Sequence, residues 1–417
     1  ESADLADLVA ELEVLHRDRP GNPRISVLMA RALIAAGRPS EARAPAQCAV
    51  DSRPNAPWTW LCLGAANEAA QDDARALEAF EHGASLEPKD LAVLTALAQC
   101  RARAFRASQD PELGSRAARD VAAAAELALA QRADEPAAEL WYLEARVHHR
   151  LGNLEACMAA CERSIAANPS HESAVFLLHG SRARTGAVAA ESGAAGGPLP
   201  SRAPDKYVRL LYNGYADRFD NHLVNKLHYR TPKLILKALQ AAQIGPVASC
   251  ADLGCGTGLG AAALRAAGLL HGSQISGVDL SENMLDKARG LGIYSDLAVG
   301  EISSWLAACA ADSFDLMLSS DVLVYVGDLR EIFICASRAL RAGGHFAFSV
   351  ESPASLRAGF KLQGTRRFAH SLNYLRSLMD EAGFHAQVVH EGVELRLESG
   401  QAVIGTVVVA RKQAAQP

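Results

Sequence analysis

The run Cys250-Ala251-Asp252-Leu253-Gly254-Cys255-Gly256-Thr257-Gly258 ends one kind of structure and begins another. Residues 247–253 are apolar and read as a buried strand. The glycines that follow permit positive φ and let a ligand approach the backbone. Residues 257–268 read as a helix, whose first turn offers free N–H groups and the positive end of its dipole. Asp252 stands two residues before the first glycine. A pyrophosphate at this turn would be repelled by that carboxylate. A ligand presenting an amine suits it better.

Outward from the turn, strands and helices alternate. Residues 274–279, 294–299, 314–319 and 345–350 read as further strands. Helices are expected over 282–290, 303–309 and 329–340, a rhythm that gives a parallel sheet with helices on both faces. After a helix over 371–382 come apolar strands at 385–394 and 402–410, joined by a short Glu-Ser-Gly turn. Strands that close pair antiparallel. Seven strands result, mostly parallel with an antiparallel edge. Asp279, 27 residues after Asp252, ends the second strand, where a carboxylate accepts hydrogen bonds from ribose hydroxyls. Ser281 is the helix cap after it.

Four ordered segments carry a resemblance: Asp-Leu-Gly-Cys-Gly-Thr-Gly from Asp252, Gly-Val-Asp-Leu-Ser-Glu-Asn-Met-Leu from Gly277, Phe-Asp-Leu-Met-Leu-Ser-Ser-Asp-Val-Leu-Val-Tyr from Phe314, and Leu-Arg-Ala-Gly-Gly from Leu340. Over residues 205–412 the chain resembles the Rossmann-like class I S-adenosylmethionine-dependent methyltransferases. That cofactor has an α-amino group, a positive sulfonium and no phosphate, as the Asp252 turn prefers. The resemblance implies S-adenosylmethionine as cofactor and S-adenosylhomocysteine as product. Asp252 would hold the methionine amine, with Leu253, Gly254, Cys255, Gly256 and Gly258 as the surrounding loop. Asp279 would grip the ribose, Leu280 and Met284 would pack near the adenine, and Glu301 with Ile302 would meet its amino group. Ser319 and Ser320 would line the methyl-transfer point, followed by Asp321 as a catalytic candidate and Tyr325 against the substrate.

Two segments are candidates for the acceptor. Residues 207–232 are dense in aromatic and polar side chains, and similar methyltransferases fold such a helix over the cofactor as a lid. It offers Tyr215 and His222 for catalysis, and Tyr215, Phe219, Tyr229 and Arg230 as pocket lining. Residues 366–374 offer Arg366 and Arg367 as a clamp for a carboxylate or phosphate, and His370 as a general base. A polar loop is expected over 352–365. Ser-Ser-Asp-Val after the fourth strand is not the Asn/Asp-Pro-Pro-aromatic motif of enzymes that methylate exocyclic or amide nitrogens. A small-molecule O, N or S acceptor is therefore expected. A protein or carrier-bound acceptor, a non-catalytic cofactor-binding scaffold and a dehydrogenase are the alternatives. Asp252 opposes the last.

The first half is different. Pro20, Pro54 and Pro88 are 34 residues apart, and Trp60, Leu63, Gly64, Ala76, Phe80 and Ala84 precede Pro88. This spacing resembles the tetratricopeptide repeat, an all-α array of helical hairpins. Combined with the second half, the chain resembles bacterial predicted methyltransferases carrying such repeats. Fourteen extra residues before Pro136 are expected as a loop around 108–115, and residues 171–185 as a capping helix. The division expected is a repeat domain over 1–185, a Gly/Ala/Pro-rich linker over 186–204 and a methyltransferase domain over 205–417. Repeats present surfaces to peptides or proteins, or serve oligomerisation.

Residues 1–191 hold 20 Lys+Arg against 27 Asp+Glu; residues 192–417 hold 22 against 20. Neither balance suits nucleic acid. No apolar run is long enough for a membrane span. The nine cysteines form no CxxC pair and no metal set, so they read as reduced core residues of a cytoplasmic protein.

Overall fold

The computed structural model describes the chain except residues 1, 20, 187–198, 217, 218, 220–227, 399 and 414–417, so most of the expected linker lies outside the described residues. The chain divides into two compact units, residues 1–181 and 182–417.

In the first unit helices follow one another with short turns: α1 Ser2–Asp18, α2 Pro23–Ala35, α3 Pro39–Ser52, α4 Pro57–Ala69, α5 Asp73–Leu86, α6 Leu91–Ser108, α7 Pro111–Ala130, α8 Asp134–Arg150 and α9 Leu154–Ala167. The chain enters the second unit along α10, Glu172–Thr185. Proline sits at the first turn of α2, α3, α4 and α7, where its fixed φ favours the helix and its missing N–H costs nothing. Asn22, Asp72, Asp90, Asp110 and Asn153 cap the helices they precede. Consecutive helices pack as hairpins through small buried residues such as Ala42, Ala46, Ala66 and Ala76. Gly64 is required on α4, because a Cβ there would lie 2.3 Å from the Phe80 ring.

The loop expected around 108–115 is not a loop. Only Gln109 and Asp110 separate α6, 18 residues long, from α7, 20 residues long. Gln109 closes α6 in the left-handed region at φ 60°, Asp110 caps α7, and Pro111 starts it. The extra residues lengthen two helices.

The second unit holds α11 Asp205–Asn213, α12 Thr231–Ala241, α13 Leu259–Ala266, α14 Glu282–Gly290, α15 Ile302–Ala308, α16 Arg330–Ala339 and α17 Leu372–Glu381. Its strands are β1 Ser249–Leu253, β2 Gln274–Asp279, β3 Asp296–Val299, β4 Phe314–Ser319, β5 Leu340–Glu351, β6 Phe360–Leu362, β7 Phe368–His370, β8 Phe384–Glu398 and β9 Gln401–Lys412. The spine β3-β2-β1-β4-β5 is parallel, and β9 then β8 continue it antiparallel. The described residues thus form nine strands in a mixed sheet, not seven. Short β6 and β7 arise inside and just beyond the segment expected as a polar loop; three-residue strands show no alternation for a sequence reading to find.

Helices cover both faces. Leu306, Phe333, Phe346, Phe348, Leu375 and Phe384 fill one core. Ile235, Leu239, Leu264, Leu316, Val407 and Val409 fill the other. Among the described residues no helix is long and apolar enough to cross a membrane.

Candidate functional site

β1 pairs with β2 on one side and β4 on the other, so successive crossovers leave in opposite directions there. A crevice opens at such a point, outside the carboxyl ends of the strands. Leu253, Asp279 and Ser319 are the last residues of the three strands.

The turn after β1 is held by main chain. The N–H groups of Gly254 and Cys255 donate to Val278 O at 2.8 and 3.0 Å. Gly254 and Gly256 have φ of 70° and 54°. A Cβ on Gly254 would meet Val322 at 2.4 Å, whereas a Cβ on Gly256 would meet nothing within 4 Å. The loop is therefore tight behind and open in front, a cradle for a ligand.

Asp252 is 2% exposed and accepts from Tyr294 Oη at 2.7 Å. Burial pushes its carboxyl up to about 7; the Tyr294 hydrogen bond pulls the other way and the Asp279 charge adds to the rise. A positive ligand group would relieve this. Asp279 accepts from Gly256 N at 2.9 Å and Ser281 N at 2.8 Å. Its carboxyl is also raised by burial, against those backbone bonds. Each oxygen keeps a lone pair for a ribose hydroxyl. Met284 and Ile302 are buried and Leu280 half-buried beside it.

Glu301, expected beside the adenine amino group, has protein partners of its own. It caps α15, accepting from Ser304 N at 2.9 Å, and pairs with Arg202 at 3.0 Å. Burial opposes its charge, but the hydrogen bonds from Ser303, Ser304 and Arg202 outweigh it and hold the carboxyl below its usual value.

Residues 201–213 stretch between the loops after β4 and β2. Ser201 O accepts from Gly327 N at 2.7 Å and Ala203 N donates to Tyr325 O at 2.8 Å. At the other end Ser281 Oγ donates to Asn213 Oδ1 at 2.6 Å, and Asn283 Nδ2 to Asn213 O at 3.0 Å. Tyr212 Oη meets Tyr325 Oη at 2.9 Å. Phe219 lies edge-on to Tyr212 and to Tyr215, with centroids 5.8 and 5.3 Å apart. His222 lies outside the described residues.

At the end of β4, Ser319 is fully buried and its Oγ has no hydrogen-bond partner among the described residues. Ser320 Oγ meets Tyr229 Oη at 2.9 Å. Asp321 has φ 62° and accepts from Arg396 Nη1 at 2.5 and 2.6 Å. Arg396 Nη2 pairs with Glu351, and Arg367 with Glu398.

Three expected acceptor residues are otherwise employed. His370 is completely buried; its Nε2 donates to Val326 O and Gly327 O at 2.9 and 3.0 Å, and burial pushes it down to about 4. The neutral ring pins the loop after β4. Its bonds to backbone carbonyls are a structural use, unlike the general base expected. Arg366 stacks over the Tyr207 ring at 5.1 Å. Arg230 pairs with Glu394 at 3.4 Å and is 56% exposed.

These positions, a cradle of N–H groups with one buried and one half-buried acid at adjacent strand ends, can be compared with known proteins. Residues 251–348 match a family model described as Methyltransferase domain. That similarity falls within the second unit. A human relative, Methyltransferase-like protein 27, is 36% identical over 118 residues, 28% of this chain and 46% of its own length. The chain thus spans about half of that curated relative. Among solved structures, an S-adenosylmethionine dependent methyltransferase from Mesorhizobium loti is 25% identical with a TM-score of 0.34, covering 42% of this chain and 96% of its own. The 1,6-didemethyltoxoflavin-N1-methyltransferase of Burkholderia thailandensis, solved with S-adenosylhomocysteine, is 19% identical with a TM-score of 0.40 over 52% and 93%. S-adenosylmethionine is the cofactor that fits the site: Asp252 suits its amine, the open front of Gly256 its methionine end, and Asp279 its ribose.

Tyr294, Tyr212, Glu351 and Arg396 were not expected at the site. Tyr294 is the one aromatic residue between α14 and β3. Arg396 is a buried charge in β8, at a bulge between Glu394 and Arg396 that shifts the register.

Proposed function

We propose that this protein transfers a methyl group from S-adenosylmethionine to a small-molecule acceptor at the carboxyl ends of β1, β2 and β4. The observation that carries the reading is Asp252, a buried acid with a neutral hydroxyl partner beside a backbone cradle. A phosphate-bearing dinucleotide would meet repulsion there, and an ammonium group would neutralise it. The cofactor supplies a methyl group on a sulfonium, which needs positioning more than acid–base help. In this reading Asp252 and Asp279 orient the cofactor, Ser319 and Ser320 face the transfer point, and residues 201–213 exclude water. Tyr212, Tyr325, Tyr229 and Arg367 line the acceptor's place.

The helical unit supports a second role. Its hairpins suit a tetratricopeptide-type array over 1–185, joined through a linker to the methyltransferase domain. A groove of about 430 Å³ between α6 and α8 is lined by Gln99, Arg103, Arg106, Leu140, Tyr142 and Arg146. Arg103 pairs with Glu68, and Glu139 also lines the groove; Arg106 and Arg146 are the guanidinium groups that would meet an acidic protein partner, by which a carrier-bound acceptor would be recruited.

The test is transfer of labelled methyl from S-adenosylmethionine into a protein-free cell extract and, separately, into its protein fraction. Label in the small-molecule pool supports the first reading; label in protein alone supports recruitment. No transfer to either, with the cofactor bound, would leave the scaffold alternative.

A further inference from the structure

The charge network beyond β4 is uneven. Arg396, its side chain 3% exposed, is shared between Asp321 on one nitrogen and Glu351 on the other. Gln363 also donates to Glu351. Arg367 is taken by Glu398, which lies 3.8 Å from Arg396. Among the described residues two guanidinium groups therefore face three carboxylates, of which Glu398 is the most exposed at 36%, and one negative charge is left over. Burial raises the Glu351 carboxyl despite Arg396, with Asp321 pushing it the same way. An excess of carboxylate over guanidinium favours a cation that reaches it.

The surroundings are aromatic, with Arg367 also beside Tyr325 and Tyr212. Tyr325 and Tyr212 stand edge to face at 89°, with centroids 5.8 Å apart, and Phe219 also lies edge-on to Tyr212. Tyr229 lies against Ser320, and its phenol, raised chiefly by burial, also feels the Asp321 charge. Aromatic faces around a carboxylate stabilise an ammonium group. The buried Ser319 Oγ, two residues before Asp321, has no hydrogen-bond partner among the described residues.

Granted the methyltransferase reading on which this rests, we infer that the acceptor is an amine entering as its ammonium ion, bound where Asp321 meets the Tyr212, Tyr325 and Tyr229 side chains. An ammonium nitrogen has no lone pair, so one proton leaves first, passing to the Asp321 carboxylate and on to solvent. The nitrogen–methyl bond then forms from the freed lone pair. The sulfur–methyl bond breaks with its electron pair kept on sulfur. Arg396 is a positioning residue here: it fixes both acids without touching the acceptor.

The test uses the full chain, tritiated-methyl S-adenosylmethionine and a protein-free cell extract, with products separated on cation- and anion-exchange resin. Label is expected in a cation-retained, base-stable product. Asp321→Asn tolerates the left-handed backbone and removes the charge. It should cut incorporation at limiting extract about tenfold, with S-adenosylhomocysteine affinity within about twofold of wild type, as one lost charge contact implies. Glu351→Gln should act in the same direction. S-adenosylhomocysteine binding by each variant reports that it folds. Label confined to neutral or anionic products, or unchanged incorporation by both variants, overturns the inference while leaving the methyltransferase reading intact. Failure of the wild type to bind S-adenosylhomocysteine overturns that reading and the inference with it.

Discussion

The strand edge around β1 and β2 and the edge around β4 and β5 are built in opposite ways. The first is held by main chain: Gly254, Cys255, Gly256 and Ser281 donate their N–H groups to Val278 O and to Asp279. Its parts lie within about thirty residues of sequence. The second is held by side chains from distant elements, with Asp321 after β4, Glu351 ending β5 and Arg396 in β8. Main-chain support leaves the first edge dependent on few side chains beyond its two acids. The second stands or falls with one arginine.

Removing that arginine should break the contrast most severely. Arg396→Ala leaves two acids without their buried partner, and about 3–5 kcal/mol of unfolding free energy should be lost in urea titration. A loss as small as that of a surface pair would show that water reaches the network freely. Tyr294→Phe probes the other edge and should be milder. Deleting one hydrogen bond to Asp252 should weaken S-adenosylhomocysteine binding by roughly fivefold, about 1 kcal/mol.

The pH dependence gives the sign. The free Asp252 carboxyl titrates at about 7, above its ordinary value of 3.8. A proton thus binds the folded state more tightly, so its contribution to stability falls as pH rises between those values and is flat above 7. An ammonium ligand needs the carboxylate. Affinity should be level just above pH 7 and fall below it, by at most about tenfold per unit. Tyr294→Phe removes a bond that lowers this pKa, so the midpoint should move upward. An affinity that rises on acidification would contradict the role of Asp252. The smallest effect is expected from Arg230→Ala. Its exposed pair with Glu394 should cost less than about 1 kcal/mol and leave methyl transfer unchanged.

The same contrast explains what a sequence reader can see. Asp252, Gly254, Gly256, Asp279 and Ser281 are legible because a βα turn fixes their spacing, and residue type alone states their chemistry. The alternation of strand and helix shows the sheet for the same reason. Arg396 and Glu351 are 45 residues apart, and their meeting depends on β9 lying between β5 and β8. No local pattern encodes that. His370 looked like a base because its intrinsic pKa suits one; only burial against Val326 and Gly327 reveals a neutral ring. The Arg202 partner of Glu301 was hidden similarly, since it lies about a hundred residues away. The lengthened α6 and α7 were hidden because an Asp-Pro pair reads equally as a loop or as a helix start.

The central claim is that the turn after β1 and the acid ending β2 bind S-adenosylmethionine. Calorimetric titration of S-adenosylhomocysteine into the wild-type chain and into Asp279→Ala tests it most directly. Micromolar-range binding by the wild type, lost in the variant, is the predicted result. Equal binding by the two, or a preference of the wild type for NAD, would contradict it.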